Sequence, residues 1–189
     1  MKKFTGILIA VIVILLLAIP VWMYFNFYNS VTVLQNNAEA QLKQVDNQLQ
    51  RRHDLIPNLV NTVKGYAKHE TEIFTNIAAA RSRLAQAGSV QEKAAANNQL
   101  EGALSRLLLV VENYPQLKAN EQFNRLMDNL EGTENRLAVE RKRYNELVKE
   151  YNTKIQLFPG RIFAGIMGVS KLEYFEVSET ARENPEVKF

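Results

Sequence analysis

Two histidines, His53 and His69, are the only side chains in this chain whose ordinary pKa lies near neutrality, and cysteine is absent. His69-Glu70 opens the His-Glu-x-x-His pattern of a zinc protease, but Ile73 stands where the second ligand belongs. A di-iron bundle site needs a glutamate three residues before each histidine, and those positions hold Gln50 and Tyr66. Two histidines without cysteine make a poor ligand set for a transition metal. No glycine-rich phosphate loop is present, and neither histidine has a local triad pattern. These residues predict no metal, no cofactor and no catalytic centre.

Three other groups invite a function. Arg51, Arg52, His53 and Asp54 form the densest charged cluster, just before Pro57. The favoured reading is a solvated helix face, with Asp54 near the start of a new helical segment where its charge is stabilising. The alternative is a docking or anion-binding edge exposed by a kink. Tyr144-Asn145 and Tyr151-Asn152 stand seven residues apart, hence on one helix face. Tyrosines so placed pack with a satisfied hydroxyl, and buried asparagines fix the register between helices. Asn58, Asn61, Asn97 and Asn98 join such a layer if their helices face one another, and a small-molecule pocket is the alternative. Finally, Ile162, Phe163, Ile166 and Met167 interleave with Gly165 and Gly168. They read as a tail folded back on the rest, or as an apolar patch for a partner or the membrane interface.

The elements that position these groups are helices throughout. Val31, Leu34, Ala38, Leu42, Val45, Leu49 and Ile56 recur at helical spacing. Pro57 removes one donor and predicts a kink rather than a stop. The pattern resumes through Leu59, Val60, Val63, Ala67, Ile73, Ile77, Leu84 and Ala87. Gly88 reads as the C′ residue, and Ser89 with Glu92 as a capping box for the next helix, so that two antiparallel neighbours meet at a short turn. That helix is expected over 90–111, with Leu100, Leu104, Leu107, Leu108 and Val111 buried. Tyr114-Pro115 closes it. Asn120 caps a long helix through Phe123, Leu126, Leu130, Leu137, Tyr144, Val148, Tyr151 and Ile155, which Phe158-Pro159-Gly160 ends. At 1.5 Å per residue, such a helix reaches about 50 Å. The expected fold is all-α: an N-terminal transmembrane helix followed by an antiparallel long-helix bundle resembling a four-helix bundle. Its divisions are an anchor over 1–28, the bundle over 29–160, and an apolar segment with a polar tail over 161–189.

The anchor rests on residues 4–38, which carry no charge, and on the nearly continuous apolar run from Ile7 to Phe25. Nineteen residues of helix span about 28 Å, close to the hydrocarbon thickness of a bilayer. A cleaved signal peptide is the rival reading. The run is longer than such peptides carry, and no small-x-small cleavage site follows it. Trp22, Tyr24 and Tyr28 suit the membrane–water interface. The lipid bilayer is thus a partner through residues 4–25. Lys2 and Lys3 precede the span, which places the N-terminus in the cytoplasm and the bundle outside. Those are also the only two of 23 lysines and arginines before the span, while all 20 acids follow it. The soluble part is therefore near neutral, which argues against nucleic acid as a partner.

The stretch Gln48-Leu49-Gln50-Arg51-Arg52-His53-Asp54-Leu55-Ile56-Pro57-Asn58-Leu59-Val60, followed by Val63-Lys64-Gly65-Tyr66-Ala67 and His69-Glu70, resembles the signature block of the LemA family. Glu112-Asn113-Tyr114-Pro115-Gln116-Leu117-Lys118-Ala119, the two Tyr-Asn pairs, Phe158-Pro159 and the closing Asn184-Pro185-Glu186-Val187-Lys188-Phe189 are similar to it in the same order. The segment Ile166-Met167-Gly168-Val169 departs by lacking an aromatic residue. The resemblance implies a bacterial membrane protein with one N-terminal span and an antiparallel helical bundle, and it implies no particular activity. The functional expectation is a non-catalytic interaction or scaffolding module that works with a protein partner or as a homo-oligomer. The alternatives are a ligand-sensing extracytoplasmic bundle signalling through a partner, and an enzyme.

Overall fold

The computed structural model describes residues 2–67 and 69–176, and every regular element among them is a helix. The polar stretch from Ser178 to Phe189 lies outside the described residues. Helix α1 (Lys2–Lys64) carries the apolar run and continues without a break through Pro20 and Pro57. It does not extend to Ala87, as the apolar periodicity suggested. Gly65 follows its last residue, and the Val63 carbonyl accepts from both Tyr66 and Ala67, at 2.9 Å each. Glycine weakens helix propagation, and the shared carbonyl closes the turn. The periodicity survived because Ala67, past the break, still packs into the core.

Helix α2 (Thr71–Gln86) follows, then α3 (Val90–Val111). The capping box between them is present as expected: Ser89 Oγ accepts from the Glu92 amide, and the Glu92 carboxylate accepts from the amides of Ser89 (3.1 Å) and Gly88 (2.8 Å). Gly88 is not the left-handed C′ residue. Ala87 ends α2 in an extended conformation, and Gly88 instead delivers its N–H to Glu92. Both amides hold the exposed Glu92 carboxyl below its usual range. Leu108 is also a correction, at 40% exposure. Leu100, Leu104, Leu107 and Val111 set the inward line of α3, and Leu108 lies about 100° around the helix from Leu107.

Pro115 opens the short helix α4 (Pro115–Lys118), where its missing N–H removes no bond. Asn120 caps α5 (Glu121–Gln156), its Oδ1 accepting from the Phe123 amide at 2.9 Å. Past Phe158-Pro159 comes α6 (Gly160–Met167), a helix where only an apolar segment was expected. Gly168 ends it at φ 68°, the left-handed conformation that glycine adopts without strain.

The chain forms two compact units. The first combines Met1–Glu39 with Glu146–Leu172. Its core is Phe27, Val31, Tyr151, Ile155 and Ala164, with Leu34, Phe163, Met167, Val169 and Leu172 packed around them. The apolar run itself is uncovered: Ile7, Leu16, Leu17 and Trp22 are 64–69% exposed. A helix apolar all round and unburied is one that meets lipid.

The second unit combines Ala40–Asn145 with Glu173–Phe189. Helices α2 and α3 pair in antiparallel fashion within it. Arg83 bonds Gln99 at 2.7 Å, and a groove runs from Arg83 and Gln99 to Asn76 and Arg106. Val45, Ile56, Leu59, Ile77, Leu100, Leu107, Leu117 and Leu137 are almost wholly buried here. Each contributes about 1.5–3 kcal/mol relative to exposure.

Candidate functional site

The charged cluster before Pro57 divides by helix face. Arg51 is exposed, whereas Arg52 is buried at 3%. The expected solvated face therefore fails at Arg52, and the reason is register. Val45, Leu49, Arg52, Ile56, Leu59 and Val63 alternate in steps of four and three, so Arg52 occupies a core position of α1. Asp54 lies well inside α1, since the helix does not restart at Pro57, and no helix N-terminus favours its charge. Hydrogen bonds from His53 Nδ1 (3.1 Å) and Gln50 Nε2 (2.9 Å) hold its carboxyl below the usual range. His53 faces a cleft of about 170 Å³ together with Gln50, Asp46 and Lys93. Lys93 Nζ donates to Asp46 at 2.6 Å, so the cationic group in that cleft already has its counter-ion.

Arg52 points into a polar layer inside the second unit. Its Nη1 donates to Asn97 Oδ1 at 2.9 Å and to the Glu134 carboxylate, which also receives Arg141 Nη2 at 3.4 Å. Burial pushes the Arg52 guanidinium below its ordinary range, opposed by the fields of Glu134 and Glu101. Two guanidinium groups and two carboxylates thus balance in one place. The same register rule accounts for the partners. Asn97 precedes Leu100, Leu104, Leu107 and Val111 at steps of three and four. Glu134 and Arg141 stand between Leu130, Leu137 and Tyr144 at the same alternation. Each is a polar residue where an apolar one would otherwise sit, and such residues specify pairing at a cost in stability. Gln48 Oε1, Arg52 Nε, Asn97 Nδ2, Asn98 Oδ1 and Arg141 Nη1 are buried with no hydrogen-bond partner among the described residues. The layer therefore retains hydrogen-bonding capacity. Asn97 joins it; Asn58 and Asn61 are exposed and do not.

In the two Tyr-Asn pairs the tyrosines pack as expected, but the asparagines do different work. In the second unit, Asn145 Oδ1 accepts from the Phe175 amide at 2.8 Å, and its Nδ2 donates to the Phe175 carbonyl at 3.1 Å. The side-chain amide thus engages both backbone groups of one residue, as a neighbouring strand would. Tyr144 Oη donates to the Glu173 carbonyl at 2.9 Å, and Arg141 lies over the Phe175 ring at 5.8 Å. Burial and the nearby Glu173 raise the Tyr144 pKa above its usual value. In the first unit, Asn152 makes the same paired bonds to Leu172, both at 2.9 Å. Tyr151 fills the core there, and burial raises its pKa too. The asparagines hold a non-helical backbone segment rather than another helix. The sequence carried no signal for this, because the recognised groups are main-chain atoms.

Of the apolar residues after Gly160, Phe163 and Met167 pack onto the first unit's core, while Ile162 and Ile166 stay 55% and 68% exposed. The Phe163 ring lies 5.7 Å from Tyr24 and 5.6 Å from Phe27. The helix spacing splits the set into an inner pair and an outer pair. Among the described residues, no three His, Cys, Asp or Glu side chains cluster in a way that could hold a metal ion.

Comparisons with known proteins identify the family of the chain. Residues 41–189 match the model of the LemA family. The chain is 27% identical over 175 residues to magnetosome protein MamQ 2 of Paramagnetospirillum magneticum, covering 79% of this chain and 64% of that protein. It is 26% identical over 174 residues to magnetosome protein MamQ of Magnetospirillum gryphiswaldense, at 78% and 64% coverage. Protein LemA of Metamycoplasma hominis is 22% identical over 174 residues, covering 89% of this chain and 78% of its own length. The matched region thus spans somewhat less than two thirds of the MamQ relatives. A family match that runs from residue 41 to residue 189, over the polar layer and both Tyr-Asn pairs, shows that the chain belongs to the LemA family.

Proposed function

We propose that this protein is a membrane-tethered, non-catalytic interaction or scaffolding module. Its N-terminal helix is long and apolar enough to cross a membrane, and the chain is a membrane-associated helical protein. The observation that carries the reading is how its polar side chains are used. Arg52, Asn97, Glu134 and Arg141 engage one another, and Asn145 and Asn152 engage the chain's own backbone. Groups committed to internal bonds are not poised for chemistry on a substrate. The helix that crosses the bilayer continues into the soluble part with no linker, which suits a module that presents outer helix faces at a membrane. The lysines before the span favour a cytoplasmic N-terminus and an extracytoplasmic bundle. Similarity to the MamQ proteins is compatible with work at a specialised membrane, which we extend to this chain as part of the proposal.

Crosslinking the full-length protein in intact membranes, with every adduct identified by mass spectrometry, tests this. Ladders of this chain alone support a homo-oligomeric scaffold, and a dominant second protein supports an accessory subunit. Monomer alone overturns scaffolding. A second reading, a ligand-sensing bundle, is favoured by the spare hydrogen-bonding capacity around Arg52 and Asn97. A small polar ligand that raises the unfolding temperature would promote it, because ligands that bind only the folded state stabilise it.

A further inference from the structure

We infer that α6 is an interfacial helix: its exposed Ile162 and Ile166, with Leu157 and Phe158 in the turn before it, are covered by lipid at the headgroup–acyl boundary of the bilayer that α1 crosses. The inference rests on reading α1 as a membrane span. It is argued entirely within the first unit.

Position comes first. The apolar run ends at Phe25. Helix α6 packs on Tyr24 and Phe27 through Phe163, and a Cβ on Gly160 would come within 2.7 Å of the Phe27 ring. At 1.5 Å per residue, Tyr24 and Phe27 lie within about 3 Å of the end of the run along the helix axis. The contacts therefore place α6 where the span leaves the hydrocarbon, at the level that Trp22 and Tyr28 mark as a membrane–water boundary.

Exposure comes second. Phe158 is 84% exposed, and Leu157, Ile162 and Ile166 are uncovered with it. In water such a face would be an unmet cost. At the bilayer surface it joins the equally uncovered apolar surface of the span, so the occupant that covers one covers the other. Charge comes third. Residues 151–172 contain Lys154, Arg161 and Lys171 and no acidic residue. Basic side chains beside exposed apolar ones are what anionic headgroups attract, and Arg161 lies within α6 itself.

The absence of native cysteine allows single reporters. Full-length Phe158→Cys and Ile166→Cys variants, labelled with an environment-sensitive fluorophore, are reconstituted into vesicles of phosphatidylethanolamine and phosphatidylglycerol. Ser82→Cys on exposed α2 is the aqueous reference, and Leu16→Cys the reference within the span. Labels at 158 and 166 are expected to lose most of their emission to nitroxides carried near the lipid headgroup and almost none to aqueous iodide. Quenching by iodide like that of Ser82→Cys would overturn the inference. So would protection from both quenchers, which means a second copy or another protein covers the face. If Leu16→Cys escapes nitroxides at the bilayer midplane, the span itself fails and both readings fall. If Leu16→Cys is quenched and 158 and 166 are not, the inference about α6 fails alone.

Discussion

Replacing Arg52 by methionine tests the polar layer most directly. The substitution keeps a long side chain in the core position and removes the guanidinium that bonds Asn97 Oδ1 and the Glu134 carboxylate. Removing one member of a buried ion pair costs about 3–5 kcal/mol, because the other charge stays behind without its partner. Two features of this site place the effect at the lower end. Arg141 Nη2 still reaches Glu134 at 3.4 Å, and the Glu134 side chain is 28% exposed, so water screens part of the abandoned charge. The expected loss is about 3 kcal/mol, which for a chain of this size lowers the unfolding temperature by about 6–12 °C. Thermal unfolding of the full-length protein in detergent, followed by far-ultraviolet circular dichroism, reads this shift. Because Glu134 also pairs with Arg141, only the triple variant Arg52→Met, Glu134→Leu, Arg141→Met removes the whole charged set, and apolar replacement of a whole buried ion pair or triad is often neutral or stabilising by about 1–4 kcal/mol. The triple variant should therefore unfold well above the single one. A single variant within about 2 °C of the parent would refute the claim that the layer holds the helices together. A triple variant as unstable as the single one would show that packing, not the unpaired charge, sets the loss.

The remaining expectations concern the tail, the turn before α6 and one cap. Asn145→Ala should speed hydrogen exchange at the Phe175 amide, and Asn152→Ala at the Leu172 amide; two lost neutral bonds amount to about 2 kcal/mol, or roughly 30-fold. Exchange that stays unchanged would show that these bonds do not hold the segment. Gly160→Ala should destabilise by about 1–3 kcal/mol, since its Cβ would collide with the Lys154 carbonyl oxygen and meet the Phe27 ring at 2.7 Å. Gly165→Ala, with nothing within 4 Å, should be neutral or stabilising by about 0.5–1 kcal/mol, so equal melting curves for the two variants would contradict the packing described. The Glu92 carboxyl, held below its ordinary range by the amides of Gly88 and Ser89, contributes stability that is present above the ordinary carboxylate pKa. That contribution is lost as the pH falls through the lower, folded-state pKa. Glu92→Gln should flatten this part of the acid unfolding profile, and a Glu92 resonance titrating at the ordinary position would refute the sign.

Much of the helical plan was legible from residue order. The capping box at Ser89 and Glu92, the Asn120 cap and the bounds of α3 follow from side-chain groups that satisfy backbone atoms three residues away. Where the reading failed, periodicity was the only guide. Ala67 kept the apolar rhythm across the break at Gly65, and Leu108 was assigned inward although it lies beside the inward line. The polar layer was within reach of the sequence, because Arg52, Asn97, Glu134 and Arg141 all continue the four-three alternation of their helices. Apolar residues alone do not reveal it, because their series steps from Leu49 directly to Ile56.

By itself the sequence determined what is local. A run of nineteen residues with no charge must meet an apolar phase, and a backbone donor at a helix end must find an acceptor close along the chain. Tertiary structure decided what depends on which helices meet. Only packing brings Glu134 to Arg52 across 82 positions, and only packing lays the backbone of Leu172 and Phe175 against Asn152 and Asn145. It also divides Phe163 from Ile166, packing the one against the core and leaving the other exposed. Those outcomes turn on desolvation, which charges a polar or apolar group according to its neighbours in space, and neighbours distant in sequence leave no mark on residue order.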